Sequence, residues 1–143
     1  MRFRYTVAFP NTAPRPYLGI VLRNHFHTTP TLTALVDSGA DHAIFPLETA
    51  ELLKLDLSSA RIWRFSGTTG EIQEAKLAKV SISILKENGV DHAFEVKTIC
   101  AFCDTFKFSG GVLLGQAGFF SLFKTTFHQP SNFFDIEPWE RIK

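Results

Sequence analysis

"LVDSGADHAIFP", residues 35–46, places an acidic residue directly after two apolar residues and directly before a Ser-Gly-Ala sequence. A carboxylate in such apolar sequence is costly to bury unless its hydrogen bonds are satisfied. Gly39 permits a tight turn with close backbone approach, and N–H groups in that turn can keep the Asp37 carboxylate ionised. The stretch therefore predicts a buried strand that ends by displaying a carboxylate, although an Asp-Ser-Gly turn without any chemistry would have the same residues.

The composition of the chain limits the classes of protein to which it can belong. Its 143 residues suit one domain, 1–143, with one core. Charged residues make up 20% of the chain and the formal net charge is +1. The sequence has no basic stripe of the kind that would indicate a nucleic-acid partner. The 15 Phe residues indicate an aromatic core or an apolar cleft or interface.

The N-terminal stretch "MRFRYTVAFPNTAPRP" lacks the continuous apolar region of a signal peptide. No apolar run reaches the roughly 18 residues that a membrane helix needs. Two Cys in such a chain are more typical of reduced thiols than of a disulfide framework. We therefore expect a soluble, cytoplasmic protein without a membrane partner.

Short segments rich in β-forming residues and separated by turn residues dominate the chain. They predict strands at 3–9, 17–22, 31–37, 79–85, 90–99, 111–115 and 133–136. The Asn88-Gly89 pair predicts a hairpin with a type I′ turn. Pro46, Glu48 and Lys54 suit a short helix over 46–55, and 116–123 could hold a second. This pattern indicates an all-β domain that closes as a barrel.

Three motifs follow one another in the chain. "ALVDSGADHAIFP" (34–46) comes first, the glycine-containing stretch "RFSGTTGE" (64–71) follows, and "VLLGQAGFF" (112–120) comes last. In this order they resemble the retropepsin-like aspartic proteases, with Leu113, Leu114 and Gly115 filling the apolar-apolar-Gly signature. The stretch "RPYLGIVLRN" (15–24) also resembles the first strands of bacterial, single-domain members.

The resemblance implies an acid-protease barrel with a flap hairpin, acting as a homodimeric aspartic endopeptidase on peptide or protein substrates. Asp37 would be the catalytic residue, one from each subunit. Two carboxylates at close range cannot both ionise easily, so they would share one proton. One would take a proton from the attacking water and the other would assist the scissile carbonyl. No cofactor or metal is implied.

The resemblance also implies roles for the neighbouring residues. Ser38, Gly39 and Ala40 would complete the active-site loop, with Ser38 bonded across the two-fold axis. Asp41 would hold substrate backbone amides, and His42 would lie at the rim. Leu113, Leu114 and Gly115 would support the site. The flap residues would close over the substrate: Ser66, Gly67, Thr68, Thr69 and Gly70.

Two features depart from the retroviral pattern. Gln116 stands where many relatives have an Arg that pairs with the equivalent of Asp41, and "HQPSNFFDIEPWERIK" (128–143) does not resemble the retroviral dimer strand. The alternative function is therefore a non-proteolytic module of the same fold that binds peptides or dimerises.

The remaining candidates have open interpretations. Cys100 and Cys103 form a CxxC that could be redox-active or bind zinc, but it lacks a second ligand pair, so buried structural thiols are favoured. His25 and His27 could share a metal, although a solvated loop is favoured. Trp63 and Phe65 could line a substrate pocket or pack in the core.

Overall fold

The computed structural model describes residues 1–66, 70–106 and 112–139, and most of its regular structure is β-strand. The elements are β1 (Arg2–Arg4), β2 (Tyr17–Asn24), β3 (His27–Thr28), β4 (Leu32–Val36), β5 (Ile44–Pro46), α1 (Leu47–Leu52), β6 (Arg61–Ser66), β7 (Ile72–Leu85), β8 (His92–Cys103), β9 (Val112–Leu114), β10 (Phe123–His128) and β11 (Phe133–Pro138).

Six strands close into a barrel. The larger sheet has the order β3-β2-β4-β9-β5-β8-β7-β6, and β2 also pairs with β7, so β2, β4, β9, β5, β8 and β7 form a ring. β4 with β9 and β5 with β8 are parallel pairs, whereas the long β7–β8 pair is antiparallel. The predicted all-β class and closed barrel are confirmed. Among the described strands, β6 pairs with β7 alone and is the outer strand of a hairpin.

The interior of the barrel is filled by alternating strand residues and by Phe. Val80, Ile82 and Ile84 alternate along β7 and are each at most 3% exposed, as the two-residue period of a strand requires. Phe45 and Phe102 stack with ring centroids 5.9 Å apart. Burial of each such side chain contributes about 1.5–3 kcal/mol. The abundance of Phe is therefore partly explained by the core.

A second sheet, in the order β1-β11-β10, joins the beginning and end of the described chain. Phe3 in β1 is 3% exposed and stacks on Phe134 in β11, with ring centroids 5.6 Å apart. Arg2 makes a two-pronged contact with Asp135 at 3.0 and 3.2 Å. The terminal strands therefore pair with each other within one chain.

Most predicted strands are present, with shifted ends. The segments 17–22, 31–37, 79–85, 90–99 and 133–136 coincide with β2, β4, β7, β8 and β11, and β9 lies within 111–115. The prediction for 3–9 was too long, because β1 ends at Arg4. Beyond it only Thr6 bridges to Arg15, and Val7 and Phe9 are 55% and 40% exposed. Apolar letters alone did not reveal that this segment lacks a partner strand.

The hairpin predicted at Asn88-Gly89 is present between β7 and β8, but its turn type was wrong. A type I′ turn requires positive φ at both central residues, and Gly89 has φ +72° whereas Asn88 is not among the positive-φ residues. The Gly89 N–H donates to the Lys86 carbonyl, and the Asn88 side-chain oxygen accepts from the N–H groups of Val90 and Asp91. The loop is therefore longer than a two-residue type I′ turn, and hydrogen bonds to the Asn88 side chain stabilise it.

The first predicted helix is confirmed but shorter. Glu48 lies in its first turn, as predicted, but Pro46 is the N-cap before α1 and not its first residue, α1 ends at Leu52, and Lys54 has φ +54°. The second, at 116–123, was wrong, because this segment is a series of turns in which Gly118 has φ +99°. A positive φ interrupts a right-handed helix.

In the described part of the chain, no helix has the length and apolar character needed to cross a membrane.

Candidate functional site

Asp37 begins the loop that follows β4, at the position predicted from the sequence. Its N–H donates to the Leu114 carbonyl at 3.0 Å, and its carbonyl accepts from the Ala40 N–H at 3.2 Å. One carboxylate oxygen accepts the Gly39 N–H at 2.9 Å. The backbone thus fixes the direction of the side chain, which is partly exposed, and Ser38 and Gly39 are exposed at the apex of the loop.

The loop is also tied to the segment that follows β9. The N–H groups of Gln116 and Ala117 donate to the carbonyls of Ala40 and Asp41, each at 2.8 Å, and the Ala43 N–H donates to the Ala117 carbonyl at 2.9 Å. These bonds join residues more than 70 positions apart in the sequence. The second signature therefore supports the Asp37 loop through backbone hydrogen bonds.

Gly115 is the residue that lets these two segments approach. A Cβ at this position would lie 2.4 Å from both the Ala40 and the His42 carbonyl oxygens, which is far inside van der Waals contact. The neighbouring Gln116 donates from Nε2 to the Ser38 carbonyl at 2.7 Å. Gln116 thus holds the loop apex from below, a contact that sequence reasoning missed because it considered only the absent Arg.

A cleft of about 620 Å³ opens beside the Asp37 carboxylate. One side is the Asp37 loop and the other is the β6–β7 hairpin. The lining residues combine apolar and aromatic side chains with polar groups at the edge: Asp37, Gly39, Ala40, Asp41, Ile44, Trp63, Arg64, Phe65, Ser66, Gln73, Phe106 and Leu113. This volume lies within the range of about 300–1,000 Å³ that is typical of ligand sites.

Three rings follow one another along one side of the site: Trp63 and Phe65 are stacked, and His42 is tilted by 58° against Trp63. His42 lies 4.3 Å from Trp63, and Trp63 lies 4.2 Å from Phe65 at an interplanar angle of 13°. Trp63 and Phe65 also pack against the small buried cluster that contains Ile44. These two residues therefore line the cleft and also cover part of the core, and their contact with a substrate stays a prediction.

His42 is half-buried, and its Nδ1 is fully buried without a hydrogen-bond partner in the described structure. Burial lowers the pKa of His42, and the nearby Asp41 carboxylate partly opposes that effect. A neutral imidazole fits this position, because the charged form would lose hydration.

The structure brings together most of the predicted site residues that it describes. Asp37, Gly39, Ala40, Asp41 and Ser66 line the cleft. Leu113 also lines it, whereas Leu114 and Gly115 are buried behind the loop. Gly70 lies just before β7, at the turn end of the hairpin, with φ +80°. The flap residues Gly67, Thr68 and Thr69 lie outside the described residues.

Four cleft residues were not predicted: Ile44, Arg64, Gln73 and Phe106. Arg64 pairs with Glu74 at 2.8 Å across the hairpin, and Gln73 is directly opposite Phe65. If the pairing register of β6 with β7 had been known from the sequence, it would have placed Gln73 at the cleft. Periodicity in a single strand does not give that register.

The CxxC residues lie inside the fold. Cys100 and Cys103 are both buried in β8 as free thiols, and burial raises the pKa of Cys100 well above its usual range. Cys103 Sγ contacts the Glu74 carbonyl and the Thr105 hydroxyl at 3.3 and 3.0 Å. Within residues 1–66, 70–106 and 112–139, no three His, Cys, Asp or Glu side chains form a metal-binding group.

No protein-family model and no curated protein matches the sequence. Among solved structures, the chain is similar to the EIAV protease complexed with the inhibitor HBY-793. The two are 20% identical over 76% of this chain and 88% of the viral chain, with a TM-score of 0.43. A similarity at this level assigns neither an activity nor a partner.

Proposed function

We propose that the chain is an aspartic endopeptidase of the retropepsin-like type, active as a homodimer. The observation that carries the proposal is the Asp37 carboxylate, held by a backbone N–H at 2.9 Å at the edge of a cleft. The loop is fixed at several points by the segment after β9. A fixed carboxylate needs little reorganisation when it acts on a bound water.

The proposed chemistry requires a second carboxylate with the opposite protonation state. Asp37 of each subunit would supply one, and the pair would share a proton. The charged member would remove a proton from water as it attacks the carbonyl carbon. The protonated member would hydrogen-bond the carbonyl oxygen as negative charge develops on it. The carbon–nitrogen bond then breaks as a proton is transferred to the leaving amine.

The cleft suits an extended peptide as the proposed substrate. It lies between the active-site loop and the β6–β7 hairpin, and its apolar lining includes Ile44, Trp63 and Phe65. Asp41 and Ser66 at the edges would hold backbone amide groups, and the residues 66–70 would close over the peptide. His42 would contribute through Trp63, whose ring it contacts.

The proposed dimer would meet at the apex of the Asp37 loop. Ser38 and Gly39 are exposed there in the single chain, and a partner subunit would cover them. The terminal strands β1 and β11 pair with one another within the chain. The rest of the interface would therefore use other surfaces than the exchanged terminal strands of the retroviral pattern.

Digestion of a peptide library at several pH values tests the activity, with Asp37→Asn beside the wild type. Asp56→Asn is a matched control, because Asp56 also accepts an N–H two residues ahead, from Ser58 at 3.0 Å, and is exposed. Asp37→Asn should remove turnover and Asp56→Asn should preserve it. Equal activity in all three proteins would contradict the role of Asp37.

Dilution tests the dimer. Specific activity should fall with the dimer fraction measured by sedimentation, and added Asp37→Asn protein should suppress wild-type activity through mixed dimers. Activity that stays linear in protein where only monomers sediment would refute the shared pair. Peptide binding by both wild type and Asp37→Asn without any turnover would instead support the non-proteolytic module.

A further inference from the structure

A second concave site lies on the outer face of the barrel, away from the cleft. It is formed where β2, β7 and β8 run side by side, and we call it the basic pocket. Its volume is about 340 Å³, and it is lined by Arg23, Asn24, His25, Lys79, Val80, Ser81 and Lys97. Along β7, Lys79 follows the cleft residue Gln73 by six positions, about 20 Å of extended strand.

Strand register explains why the basic groups converge. Arg23 in β2 is directly opposite Ser81 in β7, and Ser81 is directly opposite Lys97 in β8. Directly opposite residues project from the same face of a sheet, and Lys79, two positions before Ser81, projects from that face as well. Three cationic side chains thus come from three adjacent strands.

The concavity arises from the small side chain at the centre of this row. Ser81 is only 7% exposed because the longer side chains on both neighbouring strands rise around it. Its hydroxyl can donate or accept a hydrogen bond. A larger residue at this position would fill the space between Arg23 and Lys97. The result is a polar floor with cationic walls.

The end of β2 closes one side of the basic pocket. His25 has φ +55° in the turn after β2. Asn24 donates from Nδ2 to the Leu53 carbonyl at 2.9 Å, which ties this end of β2 to the segment after α1. The wall that carries His25 is therefore fixed by a tertiary contact.

The electrostatic balance of the basic pocket favours an anion. Its lining includes three formal positive charges and no carboxylate. Arg23 forms an ion pair with Glu95, which lies beside the pocket. In the described part of the chain, Lys79 and Lys97 have no carboxylate within ion-pair distance. Lys79 and Lys97 are exposed and project from one face of the sheet, so an anion between them would attract both ammonium groups.

We propose that the basic pocket binds a phosphate group of a small molecule or lipid headgroup, with Lys79 and Lys97 as its main ligands. A tetrahedral phosphate carries several acceptor oxygens and accepts charge-assisted hydrogen bonds from different directions at once. Lysine ammonium groups are compact charges that suit such an anion. The Ser81 hydroxyl contacts a phosphate oxygen from below. This site does not depend on the proposed peptidase activity.

Titration with inorganic pyrophosphate, followed by calorimetry and by amide NMR, tests the proposal. We expect saturable binding of one pyrophosphate per chain, with shifts concentrated at residues 23–25, 79–81 and 97. Lys97→Gln should weaken binding about tenfold or more, as expected for one lost charge-assisted hydrogen bond. Glu95→Gln should strengthen binding severalfold, because it releases the Arg23 guanidinium.

Lys124→Gln is the matched control. Lys124 is an exposed lysine of β10, paired with Glu137 at 3.4 Å, and it lies outside the basic pocket. Its replacement changes the net charge by the same amount as Lys97→Gln and should leave the dissociation constant unchanged. Equal weakening by both variants would show nonspecific charge attraction and overturn the proposal, as would binding that does not saturate.

The source of the phosphate is distinguished by two further arms. ADP represents free phosphate compounds, and phosphatidylcholine vesicles with or without phosphatidic acid represent a lipid headgroup. In one of these arms, binding should be weakened by Lys97→Gln and unchanged by Lys124→Gln. That arm identifies the source of the phosphate. If neither pyrophosphate nor either arm shows this difference between the variants, the site does not exist as described.

Discussion

Replacing Gly115 by Ala tests how the Asp37 loop is held. The added Cβ would lie 2.4 Å from the carbonyl oxygens of Ala40 and His42 and 2.8 Å from the His42 carbonyl carbon. All three atoms belong to the backbone, so no side-chain rotation can relieve the contact. The loop and the segment after β9 must separate.

The magnitude follows from two contributions. Inserting a group into well-packed structure costs about 1–3 kcal/mol, and backbone contacts place this case near 2 kcal/mol or above. Separation also weakens the two 2.8 Å bonds that Gln116 and Ala117 donate, each of which contributes about 0.5–1.5 kcal/mol. We expect the free energy of unfolding to fall by about 3 kcal/mol, a large share of the ~5–15 kcal/mol of a typical domain.

Urea unfolding measures the loss, with Gly19→Ala as the matched control. A Cβ at Gly19 would meet its nearest atom, Thr31 Cγ2, at 3.6 Å, which is ordinary contact. Gly19→Ala should be neutral or slightly stabilising, because it reduces the freedom of the unfolded chain. If Gly115→Ala lies within about 0.5 kcal/mol of the wild type, the close approach does not hold the loop, and the reasoning is wrong.

Three further predictions concern single residues. Burial raises the pKa of the Cys100 thiol. The free energy of unfolding should therefore be unchanged below the unfolded thiol pKa of about 8.5 and fall above it by up to about 1.4 kcal/mol per pH unit. Urea unfolding of Cys100→Ala should lack this fall at high pH. Burial lowers the pKa of His42, so the contribution of neutral His42 to the free energy of unfolding should be present above about pH 6.5 and lost as pH falls. His42→Phe, which keeps a ring on Trp63, should weaken this loss of stability in acid. An unchanged dependence of stability on pH would contradict the prediction. Gln116→Ala should cost only about 0.5–1 kcal/mol, because its bond to Ser38 is exposed, yet shift the Ser38 and Gly39 amide signals in NMR more than those of β10.

The sequence was sufficient for the elements whose signals are local. Asp37 follows a buried strand because "TLTALV" alternates around Ala34 and Val36 before a turn sequence, and the structure has both residues buried. The short helix after Pro46 also depends on nearby residues, since an acidic first turn suits the dipole. The strand and turn at Asp37 and the short helix after Pro46 were therefore predictable.

Features that depend on distant partners were not predictable from local pattern. Gln116 reaches Ser38 across 78 positions, and no spacing rule gives the direction of an amide side chain. β10 was missed because "FKTTFH" has an irregular pattern, and its strand state depends on pairing with β11. The turn at Asn88 is determined by the hydrogen bonds of the Asn88 side chain, and not by the turn preference of the Asn-Gly dipeptide.

The pairing of β1 with β11 has a consequence for how the chain folds. Arg2 and Asp135, which meet at 3.0 Å, are separated by 133 positions, so forming this pair closes a long loop. During synthesis from the N-terminus, β1 lacks its partner strand until residues 133–135 have emerged, whereas β7 and β8 are joined by a short hairpin. Contacts of such high sequence separation form slowly, and an unpaired strand is exposed to other chains in the meantime. The positive charges of Arg2 and Arg4, which flank Phe3 on β1, would disfavour association with other chains until residues 133–135 pair with β1.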